Sequence, residues 1–174
     1  MGQTFEWPNL LTGTRAAGGL ATVAHGDNLI PRVTLAAAPG GWAYALSNAT
    51  DKENYAISRE TFRLRHGVPY SLSLWAAATG NVASMDIFVL AYGTFDDGWI
   101  AVDRRVTAPA SGGGWLSWDF SLPEASREDC DYYLRFDNNG SKDGKESTLW
   151  IADPMLCECT EPRAWAPAEG EVWP

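Results

Sequence analysis

The 174-residue sequence predicts an all-β chain, folded as one antiparallel sandwich of about ten strands. Apolar residues recur with period two in short runs broken by Gly, Asn, Asp and Pro, and the 3.6-residue period of an amphipathic helix is nearly missing. The length also suits one domain of ~100–200 residues. The best helical stretch, Glu124 to Asp131, is a short polar run behind Pro123 and reads as a turn or loop. A chain of this size can bury about 70% of its unfolded surface, enough for a core without disulfide staples.

Strands are expected near 20–24, 32–37, 42–47, 61–65, 69–78, 84–93, 99–106, 115–122, 131–138 and 147–157. The segment from Ala38 to Ser58 passes Gly40-Gly41 and Trp42-Ala43-Tyr44-Ala45-Leu46, then turns polar as far as Tyr55. It reads as a long loop of the kind that carries function on a rigid β scaffold. In 70–77 the alternation puts Tyr70, Leu72, Leu74 and Ala76 on the core side and Ser71, Ser73, Trp75 and Ala77 on the wet side. Strand 84–93 is apolar on both faces; keeping Asp86 out of the core turns Ile87 and Val89 inward and Phe88 and Tyr92 outward. In 115–122 the core side is Leu116, Trp118, Phe120 and Leu122. In 132–137 it is Tyr132, Leu134 and Phe136, which leaves Tyr133, Arg135 and Asp137 outward. Asn139-Gly140, Asp143-Gly144 and Gly112-Gly113-Gly114 read as hairpin turns. Beyond Cys159, Pro162, Pro167 and Pro174 forbid a sheet interior, so residues 160–174 are expected as an extended Pro/Trp tail on a domain spanning 1–159.

The charge balance is 13 Lys and Arg against 22 Asp and Glu, a net −9. That balance repels phosphate backbones and argues against a nucleic-acid partner. No run approaches the ~18 apolar residues of a membrane helix, so no membrane insertion is expected. The opening Met1 to Pro8 has neither a basic n-region nor an apolar core, which predicts that no standard secretory signal is present. Cys130, Cys157 and Cys159 form no CxxC pair and read as reduced thiols, with any pairing left open. Nine tryptophans stand out in the composition; some are expected in the core, and such large amphipathic rings also build ligand-stacking surfaces.

Several stretches resemble one family. Pro8-Asn9-Leu10-Leu11 is similar to the "NLL" opening of jelly-roll modules in bacteriophage tail and baseplate proteins. Tyr70-Ser71-Leu72-Ser73-Leu74-Trp75-Ala76 resembles their "Y-x-L-S-F-W-A-K" strand, and Tyr133-Leu134-Arg135-Phe136-Asp137-Asn138-Asn139-Gly140 their "Y-x-R-F-D-N-N-G" strand and turn. Leu149-Trp150-Ile151-Ala152-Asp153-Pro154-Met155-Leu156, then Thr160 and Ala164-Trp165-Ala166-Pro167-Ala168, resemble their closing "I-x-x-P-M-L-E-x-G" and "A-T-x-W-x-P-A-P-E-D". Cys157-Glu158-Cys159 departs from "E-x-G", and Ala77 stands where lysine is usual. The resemblance implies a carbohydrate-binding-module-like jelly roll at a virion surface, with a glycan ligand, other virion proteins as partners and homo-oligomeric presentation. It requires no cofactor. Jelly-roll modules often hold a structural Ca²⁺, for which Asp153 or Asp27 would be candidate oxygen donors.

A pyranose has an apolar C–H face and a rim of hydroxyls, so its site needs flat aromatic rings beside hydrogen-bonding side chains. The candidates are Trp75, Tyr133, Arg135 and Asp137, which form one platform if their strands are neighbours, extended by Trp42, Tyr44, Tyr92 and Trp99. The bland alternative for each ring is burial under a loop or the tail. Asp137-Asn138-Asn139-Gly140-Ser141-Lys142-Asp143 begins like an EF-hand, but Lys142 stands at the glycine position and Thr148 at the glutamate position; a turn is favoured. Asp96-Asp97 and Glu128-Asp129 are adjacent in sequence and read as turn formers. His25 and His66 show no metal spacing, and there is no GxSxG elbow, so no catalysis is expected. Asn48-Ala49-Thr50 and Asn139-Gly140-Ser141 match the glycosylation pattern without a secretory context. The expected role is non-catalytic glycan attachment by stacking and hydrogen bonds. The rival is a purely structural virion decoration, adaptor or assembly protein using the same surface for protein contacts.

Overall fold

The computed structural model describes residues 6–93, 100–107, 109 and 112–171. Ten strands run in chain order: β1 (Leu20–Ala21), β2 (Arg32–Thr34), β3 (Trp42–Asn48), β4 (Asn54–Ser58), β5 (Pro69–Ala78), β6 (Met85–Ala91), β7 (Ile100–Val106), β8 (Gly114–Ser121), β9 (Tyr132–Asn138) and β10 (Ser147–Cys157). They form two five-stranded sheets, ordered β1-β4-β9-β6-β7 and β2-β3-β10-β5-β8, and every strand pairing is antiparallel. Only β2–β3 and β6–β7 are both consecutive in sequence and paired within a sheet; the other successive strands cross between layers. This is the jelly-roll sandwich expected.

The alternation read in the sequence sets the core. Tyr70, Leu72 and Leu74 of β5 meet Met85, Ile87 and Val89 of β6 and Tyr132, Leu134 and Phe136 of β9, all buried in one cluster between the sheets. Strand β6 is turned as expected, with Asp86 and Phe88 on the outer face.

The strand expected at 61–65 is a single bridge: Phe62 and Tyr132 exchange backbone hydrogen bonds at 2.9 and 2.8 Å, and Phe62 and Leu64 are buried without a ladder. In its place β4 lies inside the stretch read as a loop. Its alternation is masked because the inward residues are the small Ala56 and the polar Ser58, while Tyr55 and Ile57 face outward.

The expected hairpins at 139–144 and 112–114 are crossings between sheets, since β9 and β10, and β7 and β8, belong to different layers. Gly140 has φ 86°, and a Cβ there would sit 2.6 Å from the Asp51 carbonyl, so the close approach of this crossing needs glycine. Pro154 is tolerated within β10 because the pairing with β5 shifts register between Ala152 and Met155.

The C-terminal segment runs along the domain. Ser73 Oγ donates to the Arg163 carbonyl at 3.0 Å, Trp165 Nε1 donates to Thr14 Oγ1 at 2.8 Å, and Asn9 N donates to the Pro167 carbonyl at 3.1 Å. Cys157 and Cys159 are joined in a disulfide across Glu158, which corrects the expectation of reduced thiols there; Cys130 is free.

Candidate functional site

The outer face of the first sheet carries two cross-strand rows. In one, Ile57, Arg135, Phe88 and Asp103 lie side by side on β4, β9, β6 and β7; in the next, Tyr55, Asp137, Asp86 and Arg105 do so. Cross-strand pairs on one face are the unit in which a sheet builds a surface. Tyr133, next along β9, turns the same way and registers with Leu90.

Charge is organised along the second row and between it and Arg135 of the first. Arg135 donates from Nε and Nη2 to the two Asp137 oxygens at 2.6 and 2.8 Å, and Nη2 also lies 3.2 Å from Glu53 Oε1. Arg105 grips Asp86 in the same two-point way at 2.7 and 2.8 Å. Burial pushes the Asp137 carboxyl above its ordinary range, although Arg135 pulls against it. Asp86 moves the other way, held low chiefly by the Arg105 hydrogen bond. The Arg135 guanidinium also lies 4.2 Å from the Tyr55 ring centroid and 5.5 Å from that of Phe88.

Beside this floor opens a pocket of about 350 Å³. The rings of Tyr55, Tyr92 and Tyr133 line it with Ile57 and Arg135, and Thr22, Val23 and Ala24 lean in from the loop after β1. Tyr92 and Tyr133 meet edge to face with centroids 6.5 Å apart, and His25 packs on Tyr92 at 5.3 Å. Tyr92 is 43% and Tyr55 38% exposed, and burial raises the Tyr133 phenol above its ordinary pKa. The pocket therefore offers apolar ring surface, phenolic hydroxyls and one guanidinium.

Tyr92, Tyr133, Arg135 and Asp137 thus converge, with Asp137 wholly buried beneath the others. Trp75 does not join them. It is 5% exposed on the outer face of the other sheet, within a cluster of Ala38, Ala43, Ala77 and Ala152, and a Cβ on Gly113 would overlap its ring. Alternation correctly placed Trp75 away from the main core, but the 35–41 turn and Gly113 seal that side. Its strand β5 and strand β9 are in different sheets, so the single platform is corrected. Tyr44 is also corrected to the core, its hydroxyl donating to the Ala16 carbonyl at 2.5 Å with the Gly13 and Thr14 carbonyls each 3.2 Å away. Trp42 is half-buried against the main core, has Arg32 stacked on its ring at 3.7 Å and meets Tyr44 edge-on. Trp99 and Asp96-Asp97 lie outside the described residues. Sequence reading missed Tyr55 and Glu53, which arrive on the unrecognised β4 and the turn before it.

The other candidates resolve into structural roles. Asp153 accepts two hydrogen bonds from Arg15, Asp27 is fully exposed with Arg59 at 3.5 Å, and no group of three or more His, Cys, Asp or Glu gathers among the described residues. Glu128 accepts from His66 N at 2.6 Å and Asp129 pairs with Arg127. Asn48 is buried, its amide bonded to the Asn138 carbonyl at 3.1 Å.

No family model and no curated protein matches the chain. Solved structures do. A CBM4 carbohydrate-binding module superposes with a TM-score of 0.57 at 16% identity, over 83% of this chain and 98% of that one. The chain has the fold of a carbohydrate-binding-module jelly roll. The enzymatically active domain of bacteriophage CBA120 tailspike protein 4 follows with TM-score 0.53 and 13% identity, over 85% of this chain and 21% of that one. The tripod from the bacteriophage Tuc2009 baseplate gives 0.51 and 10%, over 88% and 67%.

Proposed function

We propose that the chain is a non-catalytic glycan-binding attachment module of a phage-like virion, holding a cell-surface or environmental saccharide on the outer face of its first sheet. The observation that carries this reading is the pocket of Tyr55, Tyr92 and Tyr133 around Arg135. Phenol rings stack on a pyranose C–H face, while Arg135 and Thr22 supply donors and acceptors for its hydroxyls. Binding without cleavage is supported by Asp86 and Asp137. Each carboxylate is tied at two points to its own arginine, so neither is placed as the acid or nucleophile that glycoside hydrolysis needs. The virion setting is supported by the likeness to phage tailspike and baseplate proteins, where repeated copies would offset weak single-site binding.

The test is a glycan array with the full chain, followed by Tyr133→Ala on each hit. Retention of saccharides that the variant loses at least tenfold, with thermal unfolding little changed, is the expected result. Saccharide binding indifferent to Tyr133, or no binding by the folded protein, would overturn the reading. The scaffold alternative has one observation in its favour: Trp115 stands 59% exposed on the outer face of the opposite sheet, where it would suit a protein contact.

A further inference from the structure

We infer that this pocket, taken as the glycan site proposed above, accepts one or two uncharged sugar residues at the end of a saccharide, and not a continuous run along a chain. The first ground is size. Its 350 Å³ falls at the small end of the ~300–1,000 Å³ range of ligand pockets, room for a short saccharide end. The second is its walls. Val23 and Ala24 rise on one side, in a loop pinned by His25 N donating to the Arg59 carbonyl at 2.7 Å and by Arg59 Nε donating to the Gly26 carbonyl at 2.9 Å. Along β9 the floor ends where Asp137 is buried under Arg135 and Glu53, and the adjoining Asp86 is closed over by Arg105. A polymer laid along the strands would meet these ion pairs instead of further ring surface.

The third ground is charge. An anionic sugar needs an uncommitted cation, and the arginines around this pocket are matched. Arg135 pairs with Asp137 and Glu53, Arg105 with Asp86, and Arg59 with Glu60 at 3.0 Å and Asp27 at 3.5 Å. Those three cations face five carboxylates, and Asp103 beside Phe88 adds a sixth. A uronic acid, sialic acid or phosphorylated sugar would meet an excess of negative charge. A neutral ring can still take a hydrogen bond from Arg135, which holds Asp137 and Glu53 through Nε and Nη2 and not through Nη1.

The test is titration calorimetry of the full chain with galactose, glucose and mannose oligosaccharides of one to six residues, and with oligogalacturonates of the same lengths. Tyr133→Ala serves as the control for site occupancy. For at least one neutral series, affinity should rise from one to two residues and then stay within about twofold to six, with the oligogalacturonates at least tenfold weaker. Affinity that climbs steadily to six residues, or oligogalacturonates that bind as well as their neutral counterparts, overturns the inference while Tyr133-dependent binding keeps the glycan reading. No binding by any series overturns both.

Discussion

Arg135 and Tyr55 face each other across adjacent strands, the guanidinium carbon 4.2 Å from the ring centroid. The same guanidinium is the buried partner of Asp137, so one side chain links the aromatic pocket to the charge beneath it. Arg135→Ala should therefore do two things. It removes a pocket donor, and it leaves Asp137 buried without its counter-charge, an arrangement that costs about 3–5 kcal/mol. Urea unfolding at neutral pH measures the cost; a loss under about 1 kcal/mol would mean that water, or protonation of Asp137, compensates. Arg135→Lys should recover little, because an ammonium cannot make the two-point contact.

Tyr92 is exposed, and its ring meets those of His25 and Tyr133 edge to face. Tyr92→Ala should weaken saccharide binding by about 0.5–1.5 kcal/mol, the size of one ring contact. Stability should change by no more than about 1 kcal/mol. Calorimetry and thermal unfolding on one preparation separate the two effects, and a variant that unfolds would make Tyr92 a structural residue.

Trp75 should behave in the opposite way. Its ring fills the space under Gly113 and the 35–41 turn, so Trp75→Ala opens a cavity and should cost about 3–5 kcal/mol. Saccharide affinity of the remaining folded protein should be unchanged, since the ring lies on the other sheet. A loss of affinity with full stability would return Trp75 to the binding surface.

Trp75 and Tyr133 show what the sequence could and could not tell. Period-two alternation assigned both to faces away from the main core, and it was right for both, because alternation is a local property of one strand. What covers that outer face is decided by a turn some 35 residues upstream and by Gly113 on a crossing segment, and neither leaves a mark in the strand's own pattern. Sheet membership was equally hidden, since crossings between layers look like hairpin turns when read locally. Tyr55 was missed because the one apolar residue that β4 turns into the main core is Ala56, too small to make the alternation visible. Tyr133, Arg135 and Asp137 were legible because each is polar or amphipathic at an outward position of a strongly patterned strand, and Tyr92 because keeping Asp86 out of the core fixed the face of a strand apolar on both sides.

The two outer-face aspartates should give pH dependences of opposite sign. Arg105 holds Asp86 below its ordinary 3.8, so its stabilising contribution is present above that pH and is lost as pH falls through the folded value. Burial raises Asp137, so its contribution runs the other way: present below pH 3.8 and lost as pH rises through the higher folded value. Stability measured from about pH 3 to pH 6 should show a flatter acid limb for Asp86→Asn than for the parent. Asp137→Asn should instead gain on the parent as pH rises. Identical slopes for the two variants would contradict the arrangement.

The Cys157–Cys159 disulfide closes a loop of only three residues, so its constraint on the unfolded chain is small, about 1–2 kcal/mol. The segment that follows is held by much more. Met155, Cys157, Cys159 and Ala166 form a buried cluster against Trp7 and Trp165, Arg163 stacks on the Trp7 ring at 3.7 Å, and Glu171 accepts from Gly13 N and Ala168 N at 3.1 and 2.9 Å. Cys159→Ser, or the parent under reductant, should therefore stay folded and lose only about 1–2 kcal/mol in urea. Removing residues 160–174 should cost more than that, because it uncovers Ser73, Met155 and the Asn9 backbone together. A truncation as stable as Cys159→Ser would show that the segment only rests on the sandwich and contributes nothing to holding its two ends together.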